Sequence, residues 1–399
     1  MTLCPLVKSL TLKRFRSFKN AQVEFDNPTF LVGQNGSGKS NLVDAFAFLA
    51  ESMAGPLSAA IDKRGGISAV RFRPARGSGA SSMGLGVALG SLNDETTAAH
   101  YAFQIEARRN ERLRVIREQC QIRRSDGERY WFDRQEDGFV SNVAALSPAL
   151  DSASLALPVI GGHAQFACLL RTLAAMRVYC INPTSLRYPI DADSNGSLRG
   201  DGGNAAAVLD AIRRESEDVF ETLRELLASI VPGMIAATSH RRGDKLTIEF
   251  LQESAEGRLS FDAASMSDGT LRAMALLLAA FQHPSPSVMV IEEPEASMHP
   301  GALGAVLDML RHASLNTQLV VTTQSTDLLD AEWIEDRHLR IVTNDQGQSH
   351  VAGLADSSRS VLRDRLMRPG ELLRANALDP APPGPSSESD ASELFEELA

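Results

Sequence analysis

Gly33-Gln34-Asn35-Gly36-Ser37-Gly38-Lys39-Ser40 fits the spacing G-x-x-x-x-G-K-[ST] without a mismatch. Glycines at these steps let successive backbone N–H groups turn inward around an anion. A lysine beside them neutralises it, and a serine hydroxyl offers a hard oxygen ligand to a divalent cation. Such a loop cradles phosphates: Gly33, Gln34, Asn35, Gly36, Ser37, Gly38 and Asn41 would line it, Lys39 would neutralise the β- and γ-phosphates, and Ser40 would ligate Mg2+. A second set of reactive groups closes the apolar run Val288-Met289-Val290-Ile291-Glu292-Glu293-Pro294-Glu295. Beside a phosphate loop, Glu292 would hold the metal and Glu293 would orient and deprotonate the attacking water.

These groups need elements to hold them. Residues 29–32 are apolar and run straight into Gly33, and from Ser40 the apolar Leu42, Val43, Phe46 and Leu49 recur at helical spacing, so the order is strand, glycine loop, helix. Residues 7–14 and 21–25 alternate as strands before it. Strand patterns at 83–89, 100–106 and 112–123 predict an antiparallel sheet beside the nucleotide core. Residues 141–230 read as mainly helical, with a strand near 176–181 and a stop at Val231-Pro232-Gly233. Beyond them the order is strand 245–251, helix 271–281, buried strand 287–291, helix 301–313 and buried strand 318–322, an alternation that predicts a largely parallel sheet.

Composition narrows the class without naming it. The 399 residues, 43% hydrophobic and 23% charged, exclude a fibrous or wholly disordered chain. Forty basic against 50 acidic residues leave a net charge of −10, so bulk charge does not make a polyanion binder. Five of those negative charges fall in residues 386–399, which follow a proline-rich run and read as disordered. Basic residues gather in 1–20, 62–76 and 108–134; were they to converge, they would make a phosphate-backbone footprint, although such runs are more often solvated faces. Cys4, Cys120, Cys168 and Cys180 form no C-x-x-C pair, which suggests neither a zinc site nor a disulfide framework and fits a reducing, cytoplasmic setting. No stretch reads as a membrane span.

Four landmarks in order carry a family resemblance: Leu10-Thr11-Leu12-Lys13-Arg14-Phe15-Arg16-Ser17-Phe18, the phosphate loop, Met266-Ser267-Asp268-Gly269-Thr270-Leu271-Arg272, and the Glu-rich strand end with Met298-His299-Pro300. The chain resembles the ABC-related ATPases of the SMC, RecF and OLD kind, in particular the short prokaryotic AAA-type group with Glu-Glu-Pro-Glu in the second motif. The resemblance implies an α/β P-loop NTPase head of ABC type, with an antiparallel β subdomain and an inserted, mainly helical arm. Its expected parts are an N-terminal lobe over 1–140, an insertion over 141–232, a C-terminal lobe over 233–378 and a disordered acidic tail over 379–399.

Further expectations follow from the same likeness. Ser267, Asp268 and Gly269 correspond to the signature loop that faces the γ-phosphate held by a second copy, which implies a homodimer sandwiching two ATP molecules. Gln324 stands where many relatives carry a histidine on the γ-phosphate; it can donate a hydrogen bond there without the charge, and slow turnover is expected. Asp191-Ala192-Asp193 is similar to a TOPRIM D-x-D but reads as turn residues, and too little chain follows Ser325 for a TOPRIM nuclease. The implied role is an ATP-hydrolysing switch in DNA repair or in defence against phage or plasmids, engaging nucleic acid and a nuclease-type effector supplied in trans, with no membrane. The alternatives are an ATPase subunit of a membrane transporter and a nucleotide-gated scaffold with little hydrolysis.

Overall fold

The computed structural model describes residues 6–73, 82–90, 97–107, 113–124, 126–136, 138–192, 196–255, 257–382 and 394–396. They divide into two units, one of Met1–Arg177, Asp336–Ser360 and Leu378–Ala399, the other of Val178–Glu335 and Val361–Ala377.

In the first unit, β1 (Leu6–Phe15) turns into β2 (Phe18–Glu24), with Phe15 opposite Phe18, and β3 (Thr29–Val32) follows. All four residues of β3 are buried, as a strand covered on both faces requires. α1 (Lys39–Ala54) starts at the end of the glycine loop and buries Leu42, Val43, Phe46 and Leu49. Then come β4 (Ser82–Gly90), β5 (Thr97–Ala107), β6 (Leu113–Arg123), β7 (Arg129–Gln135) and β8 (Gly138–Ser141). With β1 and β2 they form a seven-stranded antiparallel sheet in the order β2-β1-β4-β5-β6-β7-β8. Aromatic rings join it to α1: Phe48 of the helix lies 5.8 Å from Phe15 and 6.3 Å from Phe103, centroid to centroid. The sheet therefore anchors the helix that carries the phosphate loop.

Two strands near the end of the chain complete this unit, and the sequence pattern does not announce them. Leu339–Asp345 pairs in parallel with β3, Leu339 beside Phe30, and Gln348–Ala352 returns antiparallel to it.

In the second unit the helices Ala205–Glu215 and Glu217–Ile230 pack around α2 (Asp268–Phe281), which is buried on nearly every side from Thr270 to Ala279. An antiparallel set, Met234–Arg242, Lys245–Ser254 and Gly257–Asp262, precedes α2. After it run β9 (Val288–Glu292), α3 (Leu303–Ala313) and β10 (Gln318–Thr323), with β9 and β10 parallel and Glu292 beside Thr322. At the end of α2 the buried Gln282 accepts from the Leu198 N–H at 2.7 Å and donates to the Tyr179 hydroxyl at 2.6 Å, which fastens the segment before Ala205 to this helix.

Two expectations are corrected. Residues 141–232 are mainly helical but do not form a unit of their own, because the boundary between the units falls at Arg177 and Val178. The helices Ala156–Ile160 and Ala167–Ala174 pack on α1, whereas the later ones pack on α2. Nor is the tail over 379–399 disordered throughout: Ala381 donates its N–H to Gly353 at 2.8 Å, and Leu394 is 2% exposed. Residues 383–393 and 397–399 lie outside the described residues.

A buried carboxylate ties the sheet to the first of those helices. Glu118 of β6 is fully buried and accepts from the Tyr101 hydroxyl at 2.9 Å, from the Leu157 N–H at 2.9 Å and from the Ala156 N–H at 2.5 Å, with Arg134 3.8 Å away. Burial pushes its carboxyl above the ordinary range, while the two amides, the hydroxyl and Arg134 pull it back. Glu118→Ala leaves both helix N–H groups and the hydroxyl without an acceptor. We expect a loss of about 3 kcal/mol, read as a lowered urea midpoint with an unchanged slope.

Candidate functional site

The phosphate loop is built by close approach. Gly38, at φ 111°, takes a left-handed conformation that a side chain resists, and it leads directly into α1. A Cβ on Gly38 would stand 2.1 Å from Ser349 Oγ, and one on Gly33 would stand 2.2 Å from the Val342 carbonyl oxygen. Both glycines are thus required by the two late strands. Ser349 Oγ lies 2.7 Å from Ser17 Oγ and 2.7 Å from the Ser37 carbonyl oxygen, and the Asn41 carboxamide donates to Ser17 Oγ at 2.7 Å. This network holds the loop against the β1–β2 turn from one side.

Lys39 is 6% exposed, and its ammonium donates to the carbonyls of Gly33 at 2.7 Å and Gln34 at 3.0 Å. The charge is therefore aimed inward across the mouth of the loop. Ser37 Oγ is buried and without a hydrogen-bond partner, a polar atom turned into the same loop. Arg16 braces the helix from behind: with Arg64 it clamps Asp44 of α1, each at 2.7 Å. A glycine cradle, an inward ammonium and an unpartnered hydroxyl fit a polyphosphate. The helix N-terminus adds its partial positive charge.

The second unit assembles the carboxylates. Glu293 follows β9 with φ 43°, a left-handed backbone rare for a residue of this size. Its N–H is held by the Thr322 carbonyl at 3.1 Å and by Thr322 Oγ1 at 3.2 Å. Its Oε1 accepts from the Gln324 carboxamide at 2.5 Å. One turn on, Glu295 accepts from Thr323 Oγ1 at 2.6 Å and from the Gln324 N–H at 3.2 Å. Glu295 therefore fixes the backbone of the residue whose side chain grips Glu293.

The signature residues stand against the same turn. Ser267 caps α2, its Oγ accepting from the Thr270 N–H at 3.2 Å. Gly269 has no room for a Cβ, which would meet the Ser297 carbonyl oxygen at 2.6 Å. Asp268 pairs with Arg187 at 2.7 Å, and the same guanidinium donates to the Met266 carbonyl at 2.9 Å. Arg272, one turn along α2, reaches the Glu293 carbonyl at 3.5 Å. Ser267, Asp268, Gly269, Glu293 and Gln324 thus belong to one local assembly, and Glu292 ends the strand that enters it.

Sequence reasoning placed the loop residues Gly33 to Asn41 and the acids, and missed their supports: Ser17, Val342, Ser349, Thr322, Glu295 and Arg187. The repeated hydroxyls of Thr322-Thr323-Gln324-Ser325 after an apolar run were the one available signal. Gln324 is expected on a phosphate; in this structure its carboxamide donates to Glu293. Part of each basic cluster is paired with acids among the described residues. Lys63, Arg64, Arg114, Arg117, Arg124 and Arg134 are each within ion-pair distance of an acid, as is Arg16. Asp191 pairs with Lys245 at 2.5 Å, and Asp193 lies outside the described residues. Among the described residues no helix is long and apolar enough to cross a membrane.

Comparison with known proteins agrees with this geometry. Residues 9–145 match a family described as "AAA domain", and residues 192–330 match one described as "AAA domain, putative AbiEii toxin, Type IV TA system". A stretch of 40 residues is 50% identical to the DNA replication and repair protein RecF of Rickettsia felis and, at the same identity, to that of Rickettsia prowazekii. It covers 10% of this chain and 11% of the relative, so the chain spans about a tenth of the length of the curated relatives it matches. Among solved structures, an Smc head bound to the C-terminal winged-helix domain of ScpA superposes with a TM-score of 0.55 at 17% identity, over 89% of this chain and 99% of the other. The Smc head with an extended coiled coil from Pyrococcus furiosus, bound to the C-terminal domain of ScpA, gives 0.54 at 15% identity, over 91% and 100%. Residues 9–145 and 192–330 are thus each similar to AAA domains, on a fold shared with Smc heads.

Proposed function

We propose that the chain binds ATP at the Gly33–Ser40 loop, hydrolyses it slowly, and uses the nucleotide to pair two copies as a switch. The observation that carries the reading is the clamp on Glu293: a carboxylate held at a strained backbone position, one oxygen occupied by the Gln324 carboxamide. Lys39 and the loop amides bind the phosphates, and Ser40 and Glu292 would hold a Mg2+ ion, which supplies positive charge to the phosphate oxygens. Glu293 takes a proton from water as the water oxygen bonds to the γ-phosphorus and the bond to ADP breaks. Because Gln324 already donates to Glu293, the base gives up that hydrogen bond or shares the oxygen to accept the proton. A slow step follows. Ser267 and Gly269, at the N-terminus of α2, would meet the γ-phosphate bound by the second copy.

The role fits the handling of DNA or of an effector that acts on it. RecF, matched over a short stretch, is a replication and repair protein, and the second family description names a toxin system. The ion-paired arginines favour control of an effector protein in trans over a broad grip on DNA.

With Mg2+ and ATP the protein is expected to release phosphate, and Glu293→Gln to lower that rate about 100-fold or more while keeping ATP bound. In light scattering the Glu293→Gln chain with ATP should run as a dimer, and Lys39→Ala as a monomer that binds no ATP by calorimetry. Hydrolysis by Lys39→Ala at the parent rate would reject the site. DNA affinity, followed by anisotropy of a labelled duplex over a salt series, should change little with salt if the ion-paired arginines stay with their acids, because each phosphate contact would add about 0.9 to the log-log slope. A steep slope would restore the basic footprint.

A further inference from the structure

The outer face of the antiparallel sheet carries a socket that the nucleotide chemistry does not use. Its floor is glycine: a Cβ on Gly84 would stand 2.4 Å from Leu394 Cδ2, and one on Gly86 would stand 3.0 Å from Leu394 Cδ1. Leu394, 2% exposed, fills the space those missing side chains leave. Beside it the Arg117 guanidinium lies over the Phe395 ring, 4.4 Å from the centroid, and Asp133 holds the same guanidinium at 2.6 Å. Next, Gln119 reads the backbone. Its carboxamide donates to the Glu396 carbonyl at 2.9 Å and accepts from the Glu396 N–H at 2.9 Å, a two-point pairing made by a side chain that is itself fully buried. Arg117 also borders a neighbouring cavity of about 700 Å3, lined by Trp131, Glu136 and Val140.

These features belong together as a recognition site: one pocket for a branched apolar side chain, one cation for an aromatic ring, and one carboxamide for an extended backbone. The occupant is joined in sequence to the rest of the chain by residues 383–393, eleven residues rich in serine and acids. Covalent attachment presents the segment to this face at an effective concentration of about 1 mM.

We propose that this face is a peptide-binding site for segments of the pattern leucine, aromatic, acid, and that Leu394-Phe395-Glu396 is its tethered, exchangeable occupant, displaced in trans by a partner protein that carries an acidic segment of the same pattern. The site stands apart from the ATPase reading and survives the failure of that reading.

The test uses the full chain. Leu394→Asp with Phe395→Ala empties the socket from the tail side, leaving the sheet unchanged. A fluorescein-labelled peptide of residues 391–399 is then titrated into both chains. The emptied chain should bind it saturably, and the unmodified chain at least about ten-fold more weakly, because its own tail competes. Gln119→Ala in the emptied chain should remove most of that binding, and a peptide with both Leu394 and Phe395 replaced by Ala should not bind. Equal binding by the two chains, no binding by the emptied one, or equal binding of the Ala-substituted peptide overturns the proposal. Should the emptied chain melt below its parent, hydrogen exchange on the unmodified chain decides. Slow exchange at the C-terminal segment that becomes fast on adding excess peptide supports the site; fast exchange from the start, or protection that excess peptide leaves unchanged, overturns it.

Discussion

Ser349 holds its hydroxyl in the gap left by the missing Cβ of Gly38, and 312 residues of sequence separate it from Ser37, whose carbonyl it touches. Loop conformation is not a local property here. A loop of this length rich in glycine has many conformers, and ordering it costs backbone entropy that the loop's own contacts do not repay. The ordering comes from the strands Leu339–Asp345 and Gln348–Ala352, which abut Gly33 through Val342 and Gly38 through Ser349. Those strands are fixed in turn by pairing with β3, and α1 is fixed by aromatic contact with β1 and β5. The seven-stranded sheet is therefore scaffold for the loop.

The carboxylate assembly obeys a similar rule with different means. Polar groups at the end of a buried strand must find partners, and here they find each other. Thr322 holds the backbone of Glu293, Glu295 holds Thr323 and the backbone of Gln324, and Gln324 holds the side chain of Glu293. Such a set holds the Glu293 carboxylate at the end of β9 and leaves one buried oxygen, Glu295 Oε2, without a partner.

Much of this was legible in the sequence because the informative signals are local. The strand at 29–32, the loop and the helix from Lys39 follow from adjacent residues, as do the strand into Glu292 and the apolar helix after Ser267. What could not be read depends on partners distant in sequence. Leu339–Asp345 has an ordinary mixed composition, and its value lies in lying beside β3. The middle of the chain reads as one helical insertion because periodicity reports an amphipathic face and not which core that face meets; Leu173 and Leu223 look alike in sequence and belong to different units. The tail reads as solvated because acids and serines dominate it, and its buried Leu394 is specified by two glycines on β4.

The left-handed backbone at Glu293 has a consequence for sequence drift. A non-glycine residue at φ 43° costs about 1 kcal/mol or more, and it persists only while its surroundings insist on it. Thr322 and Gln324 supply that insistence through the amide and the carboxylate. A lineage that changes either residue relaxes the geometry of the acid, and one that changes the acid removes the reason to keep the other two. The three positions are therefore coupled, and a change at one loosens what the other two hold.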